Sequence, residues 1–152
     1  APEGQVNANL VLAHSFGSGN GANVSLLAGS PGIEAKALAS FSINNRAGNL
    51  SLISSGNIQT TSLNATGKNG SGDILINSGG GFDLVLDTRT GGNRLGSPVI
   101  TSDTFGGGNG GSVDITAQTV RIANGAQITT STHSSGQGGN IAVRAADFVQ
   151  IE

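Results

Sequence analysis

The sequence predicts an all-β fold: a right-handed parallel β-helix (solenoid) of about five to six coils, with no substantial helix. Three observations lead to this prediction. A short phrase recurs along the 152 residues, glycine-rich loops precede its copies, and the apolar runs are too short to form a helical face. Self-similarity at a period of about 20 to 50 residues is typical of solenoids, so the repeat decides the fold class.

The recurring phrase is a small residue, then Asn, Asp or Ser, then an apolar, a variable and a second apolar residue. Its second positions are spaced by 26, 24, 39 and 28 residues. A sandwich built from hairpins does not explain why the phrase returns at the same phase, whereas each coil of a solenoid repeats it. The five copies cover 22–26, 48–52, 72–76, 111–115 and 139–143.

The strands of one coil are clearest in the fourth copy, where the phrase is followed by a strand at 119–122, the turn Asn124-Gly125 and a Thr/Ser-rich strand at 128–132. Each apolar run alternates and is interrupted by Gly, Asn or Ser, which favours strands. The alternation predicts an inward direction for Val113, Ile115, Val120 and Ile122, and an outward one for Asp114 and Arg121.

The loops between strands are predicted to form the corners of the coil. They are clearest at 16–21, 105–110 and 133–138. Their glycines are expected to supply positive φ without steric cost. The Asn, Asp or Ser that follows is expected to bind local backbone and to stack on its equivalents in neighbouring coils.

The composition limits the core and the partners. There are 26 glycines and five phenylalanines but no Trp, Tyr, Met or Cys, so the interior is expected to consist mainly of Val, Ile, Leu and Ala. A net charge of −2 with seven scattered Lys and Arg leaves no basic stripe, which argues against nucleic acid as a partner. The lack of cysteine excludes a disulfide framework and a thiolate metal site.

The whole chain, 1–152, is expected to be a single β-helix domain. Its irregular coils cover 1–110 and its best-formed repeats cover 111–152, while the spacing of 39 residues contains an insertion at 79–97. Insertions in solenoids often map to the binding face. The insertion therefore belongs to the expected contact surface.

The stretch 109–152 resembles the repeat region of filamentous-haemagglutinin-like exoproteins, particularly the large cyanobacterial ones. The resemblance rests on Gly-Gly-Ser-Val-Asp-Ile-Thr-Ala, Asn-Gly-Ala-Gln-Ile-Thr-Thr-Ser-Thr and Gly-Gln-Gly-Gly-Asn-Ile-Ala-Val. It implies two-partner secretion through an outer-membrane transporter, a long right-handed β-helix, and an adhesive or filament-forming role at the cell surface, without catalytic residues. The Asn-Pro motifs of that family's secretion domain do not occur in the chain.

The candidate interaction surface combines the charged residues around the insertion with three rings that share one position of the repeat. We expect it to contact surface glycans or proteins. Its members are Asp83, Asp87, Arg89, Arg94, Asp103, Phe16, Phe105 and His133.

A carbohydrate-active β-helix enzyme is the competing function, and it would use Asp83, Asp87, Asp103 and Arg89. Such chemistry needs acids clustered on one outer face. Alternating charges on a strand are more often a solvated face, and there is no Trp or Tyr to stack on sugar rings. We therefore expect no catalytic activity.

No cofactor or metal site is expected. The glycine-aspartate phrases are similar to calcium-binding repeats, but they do not recur every nine residues, which favours corner turns. His14 and His133 occupy different phases, since Ser131 is the equivalent of His14, so the two imidazoles are not expected to meet. An array of Thr60-Thr61, Thr101 and Thr129-Thr130 would suit ice binding, but the copies are irregular, which favours ordinary outward polarity.

Neither end of the sequence has the pattern of a cap. The chain is strand-like from Val6 and still strand-like at Ile151. Because an uncovered solenoid edge exposes unpaired backbone, we expect end-to-end contact with neighbouring coils or with further copies, and marginal stability or self-association of the isolated chain.

Overall fold

The computed structural model describes residues 4–85 and 99–152, which form eleven β-strands. This part of the chain contains no helix, and hence none long and apolar enough to cross a membrane. The strands are β1 (Val6–Ser15), β2 (Val24–Ala28), β3 (Gly32–Ser42), β4 (Leu50–Ser54), β5 (Asn57–Gly67), β6 (Ile74–Ser78), β7 (Gly81–Leu84), β8 (Val99–Thr104), β9 (Val113–Ile122), β10 (Gln127–Thr132) and β11 (Ile141–Ile151).

Every strand pairing is parallel, and the chain stacks into a solenoid of about five turns, so the predicted fold class is confirmed. The pairings define three faces, here named A, B and C. Face A contains β2, β4, β6, 113–117 and 141–145. Face B contains 6–8, 32–35, 57–60, β7, 119–122 and 148–151, and face C contains 10–15, 37–42, 62–67, β8 and β10.

The alternation within strands sorts side chains between one continuous core and the exterior. On face B, Ile33, Ile58, Phe82 and Val120 stack in register and are all buried. The inward direction predicted for the apolar residues of β9 is confirmed, and so is the outward direction of Asp114 and Arg121. Removal of these stacked aliphatic side chains from water is the main stabilising term of the fold.

The interior contains more hydroxyl groups than the sequence predicted. Val, Ile, Leu and Ala dominate the core as expected, but the Thr/Ser-rich strands are not simply outward-facing. In β8, Ile100, Ser102 and Thr104 share the inward parity and are completely buried. A buried hydroxyl requires a hydrogen-bond partner, and most of these partners are backbone groups of the corners.

Several glycines at the corner between faces C and A are required for close packing rather than for the predicted positive φ. Gly48, Gly72, Gly111 and Gly139 lie outside the left-handed region, whereas Gly70 at the same corner has a φ of 140°. A Cβ on Gly72 would stand 1.9 Å from the carbonyl oxygen of Gly48 in the preceding coil. Only glycine permits this approach.

The turn at Asn124-Gly125 does use positive φ. The two residues have φ of 62° and 71°, and the Ala126 N–H donates to the Ala123 carbonyl at 3.3 Å. Two successive positive φ values are typical of a tight primed turn, for which Asn-Gly is the favoured pair. The predicted turn is therefore confirmed.

A polar ladder follows the glycines, as the sequence predicted. The side-chain oxygen Oδ1 of each residue accepts the backbone N–H of its counterpart one coil on. The distances are 2.8 Å from Asn49 N to Asn23, 2.9 Å from Asp73 N to Asn49 and 2.9 Å from Ser112 N to Asp73. The ladder fixes the register between coils at the start of face A.

The long repeat spacing lies between faces B and C of one coil. β7 ends the face B segment, and Val99 begins the face C segment. Of the insertion expected at 79–97, residues 81–84 form β7, and residues 86–97 lie outside the described residues.

Candidate functional site

The two described acids of the predicted surface lie on different faces. Asp83 is an outward residue of β7 on face B, and Asp103 is an outward residue of β8 on face C. The fold therefore does not bring them together on one exposed face. Asp87, Arg89 and Arg94 lie outside the described residues.

Asp103 is used as a link between coils. Its Oδ1 accepts hydrogen bonds from the backbone N–H of Ser131 at 3.1 Å and from the Ser131 hydroxyl at 2.6 Å. The two residues are Cα partners on neighbouring strands, so the carboxylate bridges β8 and β10. A carboxylate held this way has less capacity to accept further hydrogen bonds from a ligand.

Asp83 belongs to a polar row that runs along the exterior of face B. Its register partners are Gln59 on one side and Arg121 on the other. The row continues through Glu34 to Asn7, next to a shallow depression whose lining includes Asn9 and Lys36. This exterior offers a mixture of amide, carboxylate and basic groups, which suits hydrogen bonding to an extended polar ligand.

The three predicted rings share a register position, but only two of them stack. The rings of Phe105 and His133 lie 5.0 Å apart between centroids at an interplanar angle of 15°. Phe16 is separated from them by Ile43 and Lys68, which occupy the same position in the two intervening coils. The shared position is therefore confirmed, and within this row Phe105 and His133 form the stacked pair.

Phe16 instead contacts the other histidine. The His14 ring lies 5.7 Å from that of Phe16 and 5.8 Å from that of Phe41, edge to face in both cases. His14 shares its row with Ser131, as predicted, and lies on the first strand of face C, whereas His133 follows the last. The prediction that the two imidazoles do not meet is confirmed.

The glycine-aspartate phrase at 72–73 forms a corner, as expected. Gly72 packs on Gly48, and Asp73 accepts the Ser112 N–H. In the part of the chain that the structure describes, no three His, Asp or Glu side chains are close enough together to hold a metal ion.

The suggested threonine array is only partly formed. Thr101 and Thr129 are register partners with their hydroxyl oxygens 3.2 Å apart. Asn64 occupies the equivalent position in the preceding coil, and Thr60 points into the core. Thr60 lies on face B, so the three threonine positions do not align, as the irregular copies indicated.

Sequence reasoning missed an apolar exterior on β1. Leu10 and Leu12 point outward and are exposed, while Val11 and Ala13 point inward. The signal was the unbroken apolar run 10–13, since a strand with one solvated face alternates apolar with polar residues.

Comparison with known proteins identified no matching family model, curated protein or solved structure.

Proposed function

We propose that this chain is a non-catalytic structural segment of a secreted bacterial surface protein of the filamentous-haemagglutinin-like kind, and that it presents an adhesive surface. The observation that carries the proposal is the polar ladder of the corners. Side chains that would be candidates for chemistry, such as Asp73 and Asp103, instead bind the backbone of the next coil. A chain whose polar side chains hold successive coils together in this way suits a structural rod that presents a surface to other molecules.

The stacked rings of Phe105 and His133 are the proposed centre of adhesion. They lie side by side at the corner between faces C and A, and Phe105 is exposed. Lys68 precedes Phe105 in the same row. Flat exposed rings beside a cation suit the apolar face and hydroxyl groups of a surface glycan, or an aromatic side chain of a protein.

The adhesion proposal is tested by the binding of the purified chain to intact cells and to immobilised glycans. We expect the double substitution Phe105→Ala with His133→Ala to reduce binding at least about tenfold, as for loss of a central contact. Leu75→Ala is the matched control, because Leu75 is an exposed side chain on face A. Equal binding by wild type and double variant, or no binding by either, would contradict adhesion through this pair.

The proposed location is the cell surface, reached through an outer-membrane transporter during export. Antiserum raised against the chain should label intact cells of the source bacterium as strongly as lysed ones. Labelling only after lysis would contradict surface display. Depolymerisation of polysaccharides by the chain, lost with Asp83→Asn, would favour the enzyme instead.

End-to-end assembly into a surface filament is the second candidate. Among the described strands, β1 pairs only with β3 and β11 only with β9, so each offers an open edge. Ile141, Val149 and Ile151 point along inward rows and are exposed. A neighbouring coil, of the same chain or of another copy, would cover them, and electron microscopy of the concentrated chain tests whether filaments form.

A further inference from the structure

The exterior of face C changes character along the solenoid. On β1 and β3, and on the residue that follows each, the outward side chains form an exterior apolar patch. The patch consists of Leu10, Leu12, His14, Phe16, Ala37, Ala39, Phe41 and Ile43. In the next coil the same rows contain Ser62, Asn64, Thr66 and Lys68, so the patch ends at β5.

The patch is exposed because of the direction of its side chains. Leu10, Leu12, Phe16 and Ile43 expose 61%, 53%, 69% and 41% of their surface. They alternate with inward residues such as Val11, which pack on the core. A coil stacked on the edge of β1 would cover its backbone and its inward rows, but it would leave the exterior exposed. End-to-end contact therefore does not account for the patch.

The patch is also ordered and uncharged. β1 and β3 are paired in register from Val6–Ile33 to Ser15–Ser42, and the His14 ring packs edge to face on Phe16 and Phe41. None of its eight residues is Asp, Glu, Lys or Arg. Its exposed area is roughly 500 Å², near the upper end of the largest apolar patch on a typical monomer.

We propose that two copies of this chain pack face to face through the exterior apolar patch. A two-fold arrangement places the same residues opposite each other, and an uncharged patch avoids the like-charge repulsion that such symmetry otherwise creates. Two flat sheet faces pack at about 10 Å with interdigitated apolar side chains. The pair buries about 1,000 Å² in total, which is the lower limit for a specific and reversible interface.

Sedimentation of the 152-residue chain over a concentration series tests the dimer. We expect a monomer–dimer equilibrium that Leu12→Lys weakens at least about tenfold, because the substitution places two charges at the centre of the contact. Leu75→Lys is the matched control, since it alters an exposed leucine on face A, and its equilibrium should equal that of wild type. A monomer at every concentration, or equal weakening by both variants, overturns the proposal.

Cross-linking separates this lateral contact from end-to-end assembly. The chain contains no cysteine, so Leu12→Cys introduces a single thiol. A short bifunctional maleimide should join two copies through this thiol, because the two-fold places residue 12 near its own counterpart. Leu75→Cys is the control and should remain uncoupled. Filaments without coupling through residue 12 would overturn the lateral dimer and support end-to-end assembly. Coupling through residue 12 without filaments would support the lateral dimer and contradict end-to-end assembly.

Discussion

Thr60 and Thr104 are both buried, but their hydroxyl groups have opposite surroundings. Thr60 points into the inward row of face B, between Ala35 and Leu84. Its Oγ1 is the single buried side-chain N or O atom in the described parts of the chain that lacks a hydrogen-bond partner. The Oγ1 of Thr104 donates to the carbonyl of Lys68 at 3.0 Å. The threonine hydroxyl should therefore destabilise the fold at residue 60 and stabilise it at residue 104.

We expect Thr60→Val to raise the free energy of unfolding by about 1 kcal/mol, because valine keeps the shape of threonine and removes an unsatisfied hydroxyl. Thr104→Val should lower it by about 1 kcal/mol through loss of the bond to the Lys68 carbonyl. Urea denaturation followed by circular dichroism measures both values. A loss of stability with Thr60→Val would mean that its hydroxyl has a partner in solution.

At the scale of the strands, buried serines connect face C to the glycine corner. Ser40 Oγ donates to the Ala22 carbonyl at 2.9 Å and accepts the Gly48 N–H at 2.8 Å. In this way one hydroxyl joins the corners of two successive coils. Ser102 repeats the arrangement with the Gly72 carbonyl at 2.7 Å and the Gly111 N–H at 3.1 Å.

Ser71 adds a second hydroxyl to the later of these two corners. The Gly111 N–H also donates to the Ser71 hydroxyl oxygen, which lies 2.9 Å from Ser102 Oγ. One coil earlier, Ala65 occupies the row of Ser40 and Ser102, and its backbone carbonyl accepts the Gly72 N–H at 3.3 Å. The amides of Gly48, Gly72 and Gly111 thus each have an acceptor, but that of Gly111 has two.

This difference predicts unequal effects of the same substitution. Ser40→Ala should cost about 2 kcal/mol, because it leaves the buried Gly48 N–H without its acceptor. Ser102→Ala should cost about half as much, because Ser71 still accepts the Gly111 N–H. In a double-mutant cycle, Ser71→Ala with Ser102→Ala should cost more than the sum of the single changes. Additive effects would contradict a shared role of the two hydroxyls.

The sequence predicted the strands and their parity because a period of two is a local property. The corners show where this reasoning stops. Whether Gly72 is needed for its φ or for its missing Cβ depends on the coil below it, and whether Ser102 faces inward depends on a partner in another loop. For the site, Asp83 and Asp103 belong to one coil of the repeat, but an intervening corner separates their faces, and residue spacing alone does not give that corner.

The whole molecule is a one-dimensional stack in which each coil contacts its neighbours. The N–H of Leu50 donates to the Asp73 carbonyl in the next coil, and the N–H of Val113 donates to the Asn140 carbonyl in the next. Hydrogen exchange at the Leu50 and Val113 amides therefore reports on two separate junctions between coils. In such a stack, stability is close to a sum of coil and interface terms, so damage at one junction need not reach another.

Two glycine substitutions that create the same clash should therefore destabilise different junctions between coils. A Cβ at residue 72 or at residue 139 would meet the preceding coil's carbonyl oxygen at 1.9 Å. We expect Gly72→Ala to accelerate hydrogen exchange at the Leu50 amide, and Gly139→Ala to accelerate it at Val113 while Leu50 stays protected. Gly17→Ala is the control, because nothing lies within 4 Å of its added Cβ. Equal acceleration at both amides in both variants would indicate a single cooperative unit.

The corner between faces B and C accommodates very different connections from one coil to the next. β3 and β5 pass this corner without a break, and β9 and β10 pass it through the turn at Asn124-Gly125, whereas in the third coil β7 ends at Leu84 and β8 begins at Val99. Despite these differences, Thr60 pairs with Leu84 and Ser62 with Val99, so β5 keeps its register with both strands. The length of chain between Val85 and Val99 is thus uncoupled from the architecture. Foreign peptides could be grafted there for display, and in evolution the same position could acquire new recognition sequences while the rod beneath it stays the same.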